Sequence, residues 1–110
     1  MNTQELRREA RFTLTQKPKG MLFLHLRDEC LPVRSIRDIS QTGVSVFFDY
    51  EVKQGEHVAL EYKDRDNEVK VSGIVVWQSQ PESVADNTPK HLLGISMFNP
   101  NILLSFMQLD

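Results

Sequence analysis

The sequence contains a single cysteine, Cys30, which excludes a disulfide within the chain. It also lacks long apolar runs, because residues 21–24 and 73–77 are far shorter than the roughly 20 residues that cross a bilayer. Residues 1–12 contain no apolar stretch like that of a secretory signal. Together these absences predict a cytoplasmic protein with no direct membrane insertion.

The motifs of common enzymes are also missing. There is no Gly-x-Ser-x-Gly elbow, no Walker A pattern and no His-Glu-x-x-His pair. His25, His57 and His91 do not lie at metal-ligand spacing from one another or from Cys30. His25 falls within a predicted strand, where a structural role is favoured over metal binding. We therefore expect no enzyme activity, no metal and no cofactor.

The charge is unevenly distributed along the chain. Its 110 residues have a net charge of −2, of which residues 1–20 contribute +3 and the remainder −5. A length of 110 residues with 40% hydrophobic and 25% charged residues is typical of one globular domain. An acidic body argues against binding to a nucleic-acid polymer, which needs many phosphate contacts. The basic N-terminal segment can hold a small anion, and a solvated basic tail is the alternative that charge alone favours.

The body of the chain reads as short strands separated by turns. Alternating or β-branched runs are bounded by Gly, Pro, Asp and Asn, as in residues 53–56 and 64–67. The pattern predicts six or seven strands in an all-β barrel or sandwich. The predicted strands cover residues 11–15, 21–27, 30–40, 43–50, 57–63, 68–78 and 91–98.

A short helix is predicted at the C-terminal end, over residues 99–110. Asn99 is a good N-cap residue, and Pro100 suits the first helical position. The helix should use one apolar face to cover an opening of the barrel. The residues of that face are Ile102, Leu103, Phe106 and Leu109.

Two arginines near the start of the chain are spaced to act together. Arg7 and Arg11 are four residues apart, so they share one face of a helix or one side of an extended segment. Arginine forms planar bidentate hydrogen bonds with phosphate and with the O6/N7 edge of guanine. Arg8 can add a phosphate contact or point to solvent.

The segment DISQTG, residues 38–43, supplies complementary groups before an apolar strand. Asp38 and Ser40 point to the same side of an extended chain. A carboxylate can accept the N–H donors of guanine, and a hydroxyl can add a further contact. Gly43 permits a positive φ or a close approach of ligand or backbone. A simple turn entering a strand is the alternative interpretation.

Arg-x-x-x-Arg followed by Asp-x-Ser-x-x-Gly makes the chain resemble the PilZ domain family, and residues 71–78 and 92–98 resemble late strands of that family. The resemblance implies a six-stranded antiparallel β-barrel over residues 12–98, a flexible arm over residues 1–11 and the closing helix. It also implies a sensor or adaptor that binds the second messenger cyclic di-GMP, orders its arm and signals to a protein partner. The implied ligand-binding residues are Arg7, Arg11, Asp38, Ser40 and Gly43.

Other residues and functions remain open at this point. Trp77 can stack on a base or pack at the barrel rim, and Gly94 is explained by close packing. Arg37 is left out, because strict alternation places it opposite to Asp38. Glu9 can compete with an anionic ligand for the arginines. The alternatives are a PilZ-like interaction module without ligand and a barrel that binds single-stranded nucleic acid.

Overall fold

One antiparallel sheet forms the main part of the described structure. The structure is a computed structural model that describes residues 12–13, 18–80 and 89–107. Eight strands of these residues lie in the order β1-β4-β5-β8-β7-β6-β2-β3, so β1 and β3 are the two edges. Within the described residues, no helix is both long enough and apolar enough to span a membrane. The strands are β1 Phe12–Thr13, β2 Met21–Leu26, β3 Glu29–Pro32, β4 Ser35–Ile39, β5 Gly43–Phe48, β6 His57–Lys63, β7 Glu68–Ser79 and β8 His91–Met97, and the helix is α1 Asn101–Phe106.

The sheet is curled, and the chain changes partner strands between two consecutive residues. The N–H of Val33 donates to the carbonyl of Leu22 on β2 (2.9 Å), whereas the N–H of Arg34 donates to the carbonyl of Phe47 on β5 (2.9 Å). These bonds bring together two strands that are far apart in the sheet order. The predicted all-β fold is confirmed, but the strand count of six is not. The run 30–40 forms two strands, because its halves pair at opposite sides of the sheet.

The inner face of the curled sheet holds one hydrophobic core. Alternate residues of the strands point inward, as the period of two requires. Leu24, Val46, Phe48, Leu60 and Leu93 are completely buried. Burial of a side chain of this size contributes about 1.5–3 kcal/mol relative to exposure. The core therefore fixes the register of the strands and thereby the order of the residues on the outer face.

The closing helix differs from its prediction in start and in burial. Pro100 is the N-cap residue, and Asn99 has a positive φ of 64° in the turn after β8. Asparagine tolerates this left-handed conformation, so it reverses the chain instead of capping the helix. Leu103 is fully buried, whereas Phe106 remains 39% exposed. Leu109 lies outside the described residues.

The predicted turn at residues 64–67 is present between β6 and β7. The Oδ1 atom of Asp64 accepts hydrogen bonds from the N–H groups of Asp66 (2.8 Å) and Asn67 (2.7 Å). Its Oδ2 atom accepts one from the hydroxyl of the buried Tyr62 (2.5 Å). The Tyr62 hydrogen bond is the main reason that the pKa of Asp64 lies below its ordinary value of 3.8.

This lowered pKa predicts an acid-sensitive contribution to stability. Because the folded-state pKa is below the unfolded one, the stabilisation is present above pH 3.8 and is lost as the pH falls through the folded value. Asp64→Asn should therefore be less stable than the wild type at neutral pH, and the difference should shrink in acid. Urea unfolding at a series of pH values measures this. Asp66→Asn in the same turn is the control, and a gap that stays constant with pH would contradict the prediction.

Candidate functional site

Four residues on neighbouring strands lie directly opposite one another and form a cross-strand row. Asp38 on β4 pairs with Ser45 on β5, Ser45 pairs with Gly94 on β8, and Gly94 pairs with Trp77 on β7. Because the residues flanking Ser45 belong to the core, the row lies on the outer face of the sheet. A carboxylate and a hydroxyl thus stand in line with an aromatic ring.

Asp38 is held in a fixed orientation within this row. It is only 7% exposed, although it lies on the outer face. Its Oδ1 atom accepts a hydrogen bond from the hydroxyl of Ser45 (2.8 Å), and its Oδ2 atom accepts one from Nε of Arg37 (3.2 Å). A carboxylate with little solvent contact needs such partners in place of water. The row therefore presents an oriented acceptor.

Arg37 lies on the same side as Asp38, which corrects the sequence interpretation. The pairing of β4 with β5 shifts between Ile36 and Asp38, so Arg37 is the extra residue of a β-bulge. A bulge breaks the strict alternation of side chains and re-aims the extra residue. Nε of Arg37 is consequently within 3.2 Å of both Asp38 Oδ2 and Ser45 Oγ. No local sequence signal marks this bulge, because it depends on the pairing register.

Trp77 lies flat over the backbone of Gly94 at the other end of the row. A Cβ atom added to Gly94 would be 2.1 Å from Cε2 and 2.2 Å from Nε1 of the indole, so only glycine leaves room for the ring. A second β-bulge, between Val75 and Trp77, sets the ring in this position. The guanidinium of Arg37 is 5.8 Å from the ring centroid, within the range of a cation–π interaction. Close packing thus explains Gly94, as the sequence analysis expected.

Ser40 and Gly43 close the hairpin between β4 and β5. The N–H of Ser40 donates to the carbonyl of Gly43 (2.8 Å), and the N–H of Thr42 lies 3.4 Å from Ser40 Oγ. Gly43 does not adopt a positive φ, which corrects one of the two expected roles. Its second expected role holds, because an added Cβ would be 2.4 Å from the carbonyl oxygen of Ile95. The glycine permits close approach of β8.

A cavity of about 240 Å³ opens along the row. This volume is below the roughly 300–1,000 Å³ of pockets that enclose a whole drug-sized ligand. The cavity can therefore accept one part of a larger ligand, such as a base, whose remainder lies on the surface. Asp38 lies beside the cavity, where its Oδ1 atom accepts a hydrogen bond from the lining residue Ser45. The residues around the cavity include Ser40, Gly43, Ser45, Trp77, Gly94 and Ser96.

The structure thus brings together four of the residues proposed from the sequence: Asp38, Ser40, Gly43 and Trp77. Sequence reasoning missed Arg37 and Ser45. Ser45 gave no signal, because only the pairing of β4 with β5 sets it against Asp38. The remaining proposed residues lie outside the described part of the chain: Arg7, Arg8, Glu9 and Arg11.

Comparison with known proteins identifies the family. The model of the PilZ domain matches residues 5–96. No curated protein gives a significant sequence match. Among solved structures, the chain is similar to the PilZ domain with c-di-GMP of YcgR from Escherichia coli, with a TM-score of 0.63 and 14% identity over 91% of this chain and 85% of that chain. Since the family model matches most of its length, the chain belongs to the PilZ domain family.

Proposed function

We propose that this domain is a non-catalytic sensor or adaptor that binds cyclic di-GMP. Arg7 and Arg11 bind the phosphates and a guanine edge, with Arg8 as a further phosphate contact. Asp38 and Ser40 read a guanine, and Gly43 keeps that end of the site open. The similar YcgR domain was solved with c-di-GMP, which supports the choice of ligand. The cytoplasm, where Cys30 remains reduced, is the proposed location.

The observation that carries this proposal is the pairing of β1 with β4. Phe12 pairs with Ile39 and Thr13 with Asp38, so the chain enters the sheet beside the DISQTG segment. Arg11 immediately precedes Phe12, which limits the distance between their Cα atoms to about 3.8 Å. Arg7 is four residues further away and stays within roughly 18 Å of Phe12. Both arginines are therefore tethered within reach of the cross-strand row.

The chemistry of the row matches the ligand. Cyclic di-GMP combines two phosphates with two guanines. Its binding site therefore needs arginine side chains for the phosphates, a hydrogen-bond acceptor for the N–H groups of guanine and a surface on which a base can stack. Asp38 supplies the acceptor, and the half-buried Trp77 supplies a ring on which a base can stack for about 1–3 kcal/mol. Arg37, which lies 5.8 Å from that ring, adds a cation at the same place.

Binding would order the arm against the barrel. The conformational entropy lost by the arm is offset by charge-assisted hydrogen bonds from its arginines to the ligand. The ordered arm then forms a new surface for a protein partner, which is a disorder-to-order switch. Control of motility, biofilm formation or exopolysaccharide production is the process that we propose for this switch.

One observation favours a second candidate, an interaction module that does not bind the nucleotide. Phe98 is 93% exposed just after β8, and Phe106 is 39% exposed on α1. Exposed aromatic side chains are typical of protein-binding surfaces. Glu9 adds weight to this candidate, because it can pair with an arginine of the arm.

Isothermal titration with cyclic di-GMP tests the proposal. We expect saturable binding, and an affinity at least about 100-fold weaker in the Arg7→Ala, Arg11→Ala double variant, since each hydrogen bond to a charged group is worth about 1.5–3 kcal/mol. Arg65→Ala, in the turn between β6 and β7, is the matched control with unchanged affinity.

The outcomes separate the candidates. If the wild-type protein gives neither heat nor a thermal shift with cyclic di-GMP, the ligand-binding proposal is wrong and the interaction module is the remaining candidate. If the double variant still binds cyclic di-GMP, the two arginines of the arm are not part of the ligand site. Preferential binding of a single-stranded oligonucleotide would instead favour the nucleic-acid barrel, whose expected signature is a steep dependence of affinity on salt.

A further inference from the structure

Three potential metal ligands meet on the outer face, on strands that carry none of the cross-strand row. His25 lies on β2, Cys30 on β3 and Glu61 on β6. One donor atom of each residue, a ring nitrogen, a sulfur and a carboxylate oxygen, lies within 4.8 Å of the other two. Nε2 of His25 is 2.7 Å from Oε1 of Glu61 and 3.7 Å from Sγ of Cys30.

Strand pairing, and not sequence spacing, creates this cluster. His25 lies directly opposite Cys30 across the β2–β3 hairpin. On its other side it faces Ala59, and Glu61 follows on the same face of β6, two residues further along. Because Glu61 is 36 positions from His25 in the sequence, no local sequence motif links them. The cluster therefore goes unnoticed when ligand spacing is judged from the sequence.

We propose that His25 Nε2, Cys30 Sγ and Glu61 Oε1 form a binding site for a divalent cation of the zinc class. Imidazole, thiolate and carboxylate together form the donor set that zinc uses in proteins. Tetrahedral zinc with bonds of about 2.0–2.3 Å holds its donors roughly 3.3–3.6 Å apart. The N···S distance of 3.7 Å already fits this geometry. The N···O distance of 2.7 Å must open by less than 1 Å, which small rotations of the two side chains provide.

The proton balance of binding follows from the contacts. Without metal, one proton lies in the hydrogen bond between His25 Nε2 and Glu61 Oε1. The cation takes the place of this proton, which moves to Nδ1 of the same neutral ring, and the Cys30 thiol releases its proton to solvent. Because binding releases one proton, affinity is expected to increase with pH.

The surroundings favour an open, three-residue site. Glu61 is buried with 9% side-chain exposure, which gives the site a fixed anchor, whereas His25 is 29% exposed and Cys30 is exposed. A fourth tetrahedral position thus faces solvent, where water or a donor from another molecule can bind. Lys70 lies opposite Glu61 on β7 and weakens the attraction for a cation, while the Glu68 side chain beside Glu61 strengthens it.

A cation at this position would fasten an edge of the sheet. β3 is an edge strand of four residues, joined in the sheet through its pairing with β2 alone. Coordination by Cys30 would connect β3 both to β2 and to β6. A ligand that binds only the folded state stabilises it in proportion to the logarithm of its free concentration over Kd. The site is therefore expected to raise the midpoint of thermal unfolding when zinc is added.

Cobalt(II) titration of the tag-free, chelator-treated full chain, kept reduced without added thiols, tests the site. We expect one equivalent to bind, with the near-ultraviolet thiolate-to-cobalt charge-transfer band and intense visible bands of a tetrahedral site. Stoichiometric zinc should displace the cobalt and abolish both. Cys30→Ser should remove the charge-transfer band, and His25→Gln and Glu61→Gln should each weaken binding at least tenfold.

His57→Gln is the matched control, because His57 is an exposed histidine on β6 that lies outside the cluster. Circular dichroism of each variant shows whether it remains folded, and Cys30→Ser is the decisive one because its side chain is exposed. A cobalt complex without a thiolate band, or one that persists in Cys30→Ser, would overturn the proposal. The same holds if cobalt affinity falls equally in His57→Gln and His25→Gln.

Discussion

Gly94→Ala is expected to lower the free energy of unfolding by about 1–3 kcal/mol, the usual cost of overpacking. The three atoms nearest to the added methyl group all belong to the indole of Trp77, at 2.1, 2.2 and 2.7 Å. These distances are far below van der Waals contact, so the ring must leave its position over β8. Alanine itself is otherwise favoured over glycine in a strand by about 0.5–1 kcal/mol. A lower free energy of unfolding in Gly94→Ala would therefore result from the clash with the indole of Trp77.

A double-mutant cycle isolates that clash. In a Trp77→Ala background the methyl group has lost its nearest neighbours, so Gly94→Ala should become neutral or stabilising. The two substitutions should then show a coupling energy of roughly 1–3 kcal/mol, measured by urea unfolding of the four proteins. Additive effects would mean that the ring does not lie against Gly94.

Fluorescence gives an independent measurement of the same change. Trp77 is the one tryptophan of the chain, so the emission spectrum reports its environment alone. Gly94→Ala should shift the emission to the red, because the indole leaves a half-buried position for solvent. If the domain binds cyclic di-GMP as proposed, the affinity should also fall, because the displaced ring no longer offers a base its stacking surface.

The parts of the fold that were predictable are those set by local chemistry. Alternation of apolar residues and the turn at residues 64–67 gave β6 and β7, because side-chain direction and turn propensity act over a few residues. The split between β3 and β4 was not predictable in this way. It arises at Val33 and Arg34, whose N–H groups bond to strands on opposite sides of the curled sheet.

In the candidate site, too, features that depend on pairing between strands were not predictable from the local sequence. The motif placed Asp38 and Ser40 close together, since they are two residues apart, and placed Gly43 at the start of the next strand. Arg37 was assigned to the wrong side, because a bulge depends on how β4 aligns with β5. The direction of a side chain cannot be predicted from its own strand where that direction depends on the alignment with a neighbouring strand.

The tryptophan end of the site was likewise only half predictable. The apolar run around Trp77 indicated a strand but could not say which face the ring occupies. A bulge between Val75 and Trp77, together with the missing side chain at Gly94, decides that question. Both features belong to the pairing of β7 with β8, which is formed by residues distant in sequence from the motif.

Gly43→Ala is expected to destabilise the domain by at least about 1–3 kcal/mol, for a reason that differs from that at Gly94. Here the nearest atom to the added methyl group is the backbone carbonyl oxygen of Ile95, at 2.4 Å, so the strands themselves must separate. The end of the β5–β8 ladder should then open, including the bond from the Met97 N–H to the Thr42 carbonyl (2.8 Å). Hydrogen exchange of the Met97 amide should accelerate accordingly.

The two glycine variants can be distinguished by rescue. Removal of a side chain relieves the clash at Gly94, whereas no side-chain deletion can relieve a clash with a backbone carbonyl. Ile95→Ala should therefore add its own core cost of roughly 2–5 kcal/mol to that of Gly43→Ala without compensation. If Ile95→Ala restored the stability of Gly43→Ala, the contact with the carbonyl would be refuted. If it does not, the close approach of the β8 backbone is what requires glycine at position 43, a position that also lines the cavity.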